Sequence, residues 1–259
     1  MSLGLEHASL AVHSARLIED VDFELRAGSV VAVVGANGAG KSSMLRVLSG
    51  EVSPSSGKAQ IDDVDLGEIS KPELARRLAV LPQHSSLDFP FRAREVIAMG
   101  RIPHFTGRAT NARLVDEVIV RMQLDSLSDR IYTTLSGGER QRVQIARVLC
   151  QLWDCMENGY FMFDEPTAPL DLSYQLAFLG IAREIAGRGA GVLLVMHDVS
   201  LAARFADTIA VMRNGRILAN GAVADVVTKE NIRAAFDVDA TVMHSEDGAP
   251  LIYTRAPLH

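Results

Sequence analysis

Cysteine is nearly absent. The 259 residues include two, Cys150 and Cys155. One C-x4-C pair without a partner pair supplies neither a zinc site nor a disulfide framework, so both thiols are expected to be reduced and incidental. No uncharged apolar run reaches the roughly 18 residues needed to span a bilayer. The opening MSLGLEHASL has no basic n-region and no apolar h-region, so no secretory signal is expected. These absences predict a cytosolic chain that reaches a membrane only through partners. Lysine is also scarce, at 4 against 22 arginines, and the net charge is −6. A free-standing nucleic-acid binder carries the opposite sign, so no nucleic-acid partner is expected. What remains is a globular balance, 48% hydrophobic and 22% charged, at a length suited to one sizeable domain.

Residues 3–12 and 16–26 read as a strand hairpin. SVVAVV (29–34) is an apolar, β-branched run of the kind buried on both faces of a sheet. A glycine-rich turn follows, and then residues 41–48 carry Met44, Leu45, Val47 and Leu48 at helical spacing, closed by Gly50. Residues 160–163 run as a strand into Asp164, and residues 192–196 run into His197. Polar groups just past buried strands mark ligand sites in open α/β sheets. Residues 208–212 and 216–219 flank Asn214-Gly215, a hairpin signal. Helical periods at 94–100, 112–122 and 139–152, with no strand between them, predict a helical insertion over about 86–150. Two short helices (223–227 and about 229–236) and a strand at 251–253 are expected in the tail.

Gly35-Ala36-Asn37-Gly38-Ala39-Gly40-Lys41-Ser42 fits GxxxxGK(S/T). Small residues let backbone N–H groups curl around phosphate oxygens, and the loop opens a helix whose N-terminus favours an anion. Lys41 adds a point charge, and Ser42 offers a hydroxyl to Mg²⁺. Asp164, at the end of a buried strand, is placed to hold Mg²⁺. Glu165 next to it is placed to polarise an attacking water. A second anion site is read at Leu135-Ser136-Gly137-Gly138-Glu139. Ser136 is a natural N-cap with Glu139 three residues on, and the two glycines expose N–H groups at a helix start.

LSGGE between these two motifs resembles the ABC-transporter ATPase signature. Gln83 in LAVLPQ resembles the Q-loop glutamine, Asp171 in EPTAPLD the D-loop aspartate, and His197 in VLLVMHD the switch histidine. The resemblance runs from about residue 3 to 255. It implies an α/β phosphate-loop NTPase cassette with a RecA-like core, an N-terminal antiparallel β-subdomain and a helical insertion. Within this single domain, 1–85 and 151–259 would form the core and β-subdomain, and 86–150 the helical part carrying LSGGE. It further implies that two copies meet head to tail. ATP on Gly35–Ser43, Ser43 included, would be capped by Ser136, Gly137 and Gly138 of the other copy, with Asp171 at the junction. Ser42, Gln83 and Asp164 would organise Mg²⁺, Glu165 would be the catalytic carboxylate, and His197 would contact the γ-phosphate.

Two departures stand out. The aromatic ring that family members place under adenine is missing; Leu10-Ala11-Val12-His13 stands there, with His13 a weak substitute. Pro169 occupies a D-loop position more usually small. LPQHSSLDFPFRAREVIAMGR (81–101), ARVLCQLW (146–153) and PLIYTR (250–255) are similar to ATP-binding subunits of bacterial iron-chelate and vitamin B12 importers, those for haem foremost. The lengthened link 151–159 fits that group. The resemblance implies a homodimer under two membrane permease subunits at the cytoplasmic face of the inner membrane, fed by a periplasmic binding protein. The alternatives are a ferric siderophore or vitamin B12 as cargo, an ABC ATPase without a transporter, a non-hydrolysing regulatory subunit and another phosphate-loop enzyme. His84, His104 and Met99 are read as structural or surface groups rather than haem ligands. Arg92, Arg94, Arg101 and Arg108 are expected as a cluster, meeting permease loops or lipid headgroups or forming a solvated face.

Overall fold

The computed structural model describes residues 1–13, 15–83, 87–246 and 248–257. The chain opens with an antiparallel pair, β1 (Ser2–Val12) and β2 (Ala15–Arg26). Leu3, Leu5, Ala8 and Leu10 point inward from β1, and Ile18, Val21, Phe23 and Leu25 from β2. Their spacing skips where the register shifts between Leu5 and Ala8, beside His7 with its φ of 47°. A bulge there keeps the apolar set on one face. β3 (Val30–Gly35) is buried at every residue, as its unbroken apolar run requires. α1 (Lys41–Leu48) follows. β4 (Ser56–Ile61) and β5 (Val64–Asp65) extend the first sheet, whose order is β2-β1-β4-β5.

After α2 (Lys71–Leu74) and β6 (Leu78–Leu81), the chain turns helical. It makes α3 (Ala93–Ala98), α4 (Arg108–Arg121) and α5 (Gly137–Leu152) before re-entering the sheet as β7 (Tyr160–Asp164). α6 (Leu172–Gly187), β8 (Gly191–Val195), α7 (Val199–Phe205), β9 (Thr208–Arg213) and β10 (Arg216–Ala222) come next. α8 (Val223–Val226), α9 (Lys229–Phe236), β11 (Val238–His244) and β12 (Pro250–Pro257) end the described chain. The strands of the second sheet run in the order β10-β9-β3-β8-β7-β6, all parallel except the hairpin strand β10.

This sheet is covered on both faces. Val31 and Val33 pack toward α1 and the antiparallel sheet; Val30, Ala32 and Val34 pack toward the helices of the other layer. Each fully buried valine or leucine contributes about 1.5–3 kcal/mol, so the central strand is a fixed platform for the loop that leaves it.

The sequence-based elements sit within a few residues of the observed ones, with some additions. β11 pairs with β12 as a separate ribbon, where only residues 251–253 were expected as a strand. α6 and α7 lie in stretches that the sequence reading left without an element. Within 86–150 the only β feature among the described residues is a single bridge between Arg92 and Ile131. No helix among the described residues is long and apolar enough to cross a membrane.

Candidate active site

The loop between β3 and α1 is shaped by two glycines. Gly35 has φ 156°, and a Cβ on it would lie 2.3 Å from the Met212 carbonyl oxygen on neighbouring β9. Gly40 has φ 103° as the N-cap of α1, and a Cβ there would lie 2.7 Å from the Leu17 carbonyl oxygen. Both positions require glycine for space as well as for backbone conformation. Lys41 is buried despite its charge, and its Nζ donates to the carbonyl oxygens of Gly35 (2.7 Å) and Ala36 (2.9 Å). Burial pulls its pKa down, while Glu165 and Asp164 oppose the shift. The lysine thus rests on its own loop, over the helix N-terminus.

Three strand ends converge beside this loop. β7 delivers Asp164 and Glu165, the start of β8's exit loop delivers His197, and the exit of β6 delivers Gln83. Asp164 is 4% exposed, and its Oδ1 has no hydrogen-bond partner. Burial raises its pKa, with the Ser42 hydroxyl partly opposing. An orphaned buried carboxylate oxygen beside a hydroxyl is a costly arrangement for the protein alone. It is also the hard-oxygen donor set that Mg²⁺ prefers, so the residues fit that ion. Glu165 adopts a left-handed backbone (φ 51°), which costs about 1–2 kcal/mol for a non-glycine residue. Its Oε1 lies 2.5 Å from His197 Nε2, and its Oε2 accepts from Gln83 Nε2 at 2.9 Å. Asn37, Gly38, Ala39, Gly40, Lys41, Ser42, Ser43, Gln83, Glu165 and His197 line one groove of about 720 Å³.

The second glycine motif lies elsewhere. Ser136 caps α5, accepting from the Glu139 N–H (3.3 Å), and Glu139 accepts in return from the Ser136 N–H (2.8 Å). Ser136, Gly137 and Gly138 do not line the groove of their own chain. Asp171 caps α6, its carboxylate accepting from the Tyr174 N–H at 3.0 Å.

The ABC transporter family matches residues 18–168. The chain belongs to that family. It is 44% identical over 254 residues to the hemin import ATP-binding protein HmuV of Pseudomonas entomophila (strain L48), covering 98% of this chain and 100% of that one. The protein of the same name from Pseudomonas fluorescens strain Pf-5 is 45% identical, covering 92% of this chain and 94% of its own. Among solved structures, an ATP-binding subunit of an ABC transporter superposes with a TM-score of 0.79 at 26% identity, covering 91% of this chain and 95% of the other. The cassette is therefore an ATP-binding and ATP-hydrolysing one, with the α/β fold and N-terminal antiparallel sheet expected of it.

Several features of this ABC cassette were not legible beforehand. Gln141 Nε2 donates to the Pro166 carbonyl (3.1 Å), and Gln175 Nε2 donates to those of Thr167 and Leu170 (3.0 Å each). A Cβ on Gly138 would meet the Pro169 carbonyl oxygen at 3.1 Å. The start of the signature helix and the loop after Glu165 are thus tied within one chain. His13 does not line the groove; Arg16, Leu17, Asn214 and Gly215 do.

Arg101 drops out of the expected arginine cluster, whereas Arg92, Arg94 and Arg108 stay exposed. Arg101 is 3% exposed and pairs with Asp154 at 2.7 and 3.0 Å, because the turn after α3 packs onto the end of α5. Arg94 pairs with Asp116, and Arg92 donates to the Asp129 carbonyl. His104 Nε2 lies 2.6 Å from the Gln151 carbonyl oxygen, and burial and the nearby Arg101 charge lower its pKa. It is a packed structural group, and Met99 is half-buried. His84 lies outside the described residues.

Proposed function

We propose that this cassette powers haem uptake across the bacterial inner membrane as the ATPase subunit of an ABC importer. The observation that carries the reading is 44% identity over the full length of a relative named for hemin import. The groove supports the ATPase chemistry, since one concavity holds Lys41, Ser42, Gln83, Glu165 and His197.

In this reading the amides of residues 35–43 take the triphosphate. Lys41 leaves the carbonyls of Gly35 and Ala36 for phosphate oxygens, a charge-assisted contact. Ser42 and Asp164, with Gln83, would hold Mg²⁺, which offsets charge on the phosphates. Glu165 orients the attacking water and accepts its proton. His197 moves from Glu165 to the γ-phosphate. That exchange frees the carboxylate when substrate arrives, so hydrolysis is linked to a filled site. Ser136, Gly137 and Gly138, free of their own groove, cap ATP on a second copy, with Asp171 at the seam. Two helix N-termini then face one triphosphate. ATP that binds the closed pair better than the open one drives closure, and hydrolysis removes that preference.

The dimer sits beneath two permease subunits on the cytoplasmic face, served by a periplasmic binding protein. The exposed rings Phe89 and Phe91, 6.2 Å apart, and exposed Ile102 and Phe105 are candidates for the permease contact. Large apolar side chains left in water mark such surfaces.

The test is ATPase activity of this chain reconstituted with its permease in vesicles. The cognate binding protein is added loaded with haem, a ferric siderophore or cobalamin. Stimulation by the haem-loaded form alone is expected. Stimulation by another ligand alone would keep the ATPase assignment and replace the cargo.

A further inference from the structure

The six-stranded sheet fixes which way a nucleotide lies. The phosphate loop leaves β3, with β8, β7 and β6 to one side and β9 and β10 to the other. Glu165, His197 and Gln83 all come from the first side, so the reacting end of a triphosphate belongs there. The ribose and base must leave over the second side. There the groove is lined by Arg16 and Leu17 of β2 and by the β9–β10 turn residues Asn214 and Gly215. Among the described residues no phenylalanine, tyrosine or tryptophan lines the groove.

This end is rigid in its backbone. The Gly215 N–H donates to the Ala39 carbonyl (2.9 Å), and the Glu19 N–H donates to the Gly215 carbonyl (2.8 Å). A Cβ on Gly215 would lie 3.0 Å from the Leu17 carbonyl oxygen. The phosphate loop, β2 and the hairpin turn therefore form one wall. Arg16 supplies the largest planar side chain on it among the described residues. Its guanidinium pairs with Glu19, which also holds Arg216 at 2.9 Å. Glu19 is thereby a fixed anchor for a side chain that is otherwise 71% exposed.

We propose that Arg16 is the base-recognising residue of this site, its guanidinium stacking on the base, and that the site accepts guanosine triphosphate about as well as adenosine triphosphate. The proposal rests on reading the groove as the nucleotide site. A guanidinium stacks on any base because every base has a π face. Strong discrimination needs buried polar groups that the wrong base leaves unpaired. Arg16 and Asn214 are both exposed, so water replaces whatever contact a base fails to make.

The test compares steady-state hydrolysis of ATP and GTP by the full chain, with inorganic tripolyphosphate as a competitor that has no base. Wild-type kcat/KM for the two nucleotides is expected to agree within about five-fold. Arg16→Ala is expected to raise KM for ATP about three- to five-fold, to shift kcat by less than about two-fold, and to leave tripolyphosphate inhibition unchanged. Arg16→Phe should recover the ATP KM. The proposal is overturned if Arg16→Ala leaves KM for ATP unchanged. It is also overturned if that variant weakens tripolyphosphate as much as ATP, or if wild type prefers ATP by more than about five-fold. Lys41→Ala and Glu165→Gln separate the two levels. Full hydrolysis by both would remove the nucleotide site itself, whereas their loss alongside an unaffected Arg16→Ala would remove only the base assignment.

Discussion

Replacing Glu165 by glutamine sets a small structural change against a large chemical one. The carboxylate is mostly buried and receives two groups, His197 Nε2 on one oxygen and Gln83 Nε2 on the other. Glutamine keeps the shape and one acceptor oxygen and puts an NH2 donor in place of the other, so at most one of the two contacts is lost. A lost hydrogen bond costs about 0.5–1.5 kcal/mol, and about 1.5–3 if the partner is charged. In a chain of this size each kcal/mol moves Tm by about 2–4 °C, so a drop of about 1–12 °C is expected, with no loss of the fold. Turnover is another matter, because an amide cannot take a proton from water. Loss of a positioned general base costs about 100- to 10,000-fold. ATP binding should survive, since Lys41 and the loop amides are untouched, and an ATP-held dimer should accumulate. The assays are differential scanning calorimetry, single-turnover hydrolysis and size-exclusion chromatography with ATP. Turnover within about ten-fold of wild type would refute the role of Glu165. A collapse of Tm would refute the claim that its part in the structure is minor.

Lys41→Ala should abolish measurable ATP affinity, read by isothermal titration calorimetry, because the charge next to the phosphates is gone. Gly35→Ala should fold poorly or shift β3 against β9, since its Cβ would sit 2.3 Å from the Met212 carbonyl oxygen; wild-type Tm and activity would contradict that geometry. Arg101→Met should cost about 3 kcal/mol, near the low end for a broken buried pair, because Asp154 keeps 31% of its side chain in water. The acid limb of the stability curve adds a signed check. Burial pushes the Asp154 carboxyl up, but Arg101 outweighs it and holds the pKa below its ordinary value. That contribution is present above the unfolded carboxylate pKa and is lost as pH falls through the depressed folded value. Denaturant melts of Arg101→Met should therefore lose less stability on acidification than wild type, and parallel curves would exclude the linkage.

The parts of the fold legible in the sequence are those whose signal is local. Residues 30–34 are apolar at every step, and a strand covered on both faces is the short structure that such a run fits. Ser136 and Glu139 announce the start of α5 because a capping box lies within four residues. α6 was less readable. Its buried positions Phe178, Leu179, Ile181, Ala182, Ile185 and Ala186 sit in a stretch with no charge before Arg183, so the polar stripe that marks a surface helix is weak. β11 alternates poorly and gains its identity only by pairing with β12.

The candidate site divides along the same line. Its phosphate end is contiguous in sequence, and the strand ends that supply Asp164, Glu165 and His197 each carry their own signal. The opposite end is assembled by sheet order alone. Arg16 and Asn214 are nearly 200 positions apart and meet because β2 and the β9–β10 turn both close on the phosphate loop. Arg16 belongs to no motif and Asn214 only to a local turn signal, so no spacing rule could have joined them. Arg101 failed for the converse reason. Among several arginines it reads as surface charge, yet the chain at Gly100 comes so near α5 that a Cβ would lie 2.3 Å from the Arg147 carbonyl oxygen. That close approach carries the next side chain inward, where Asp154 and the carbonyls of Cys150 and Gln151 receive it. Backbone proximity decided the fate of the charge, and proximity between distant segments is the quantity that a single sequence encodes least directly.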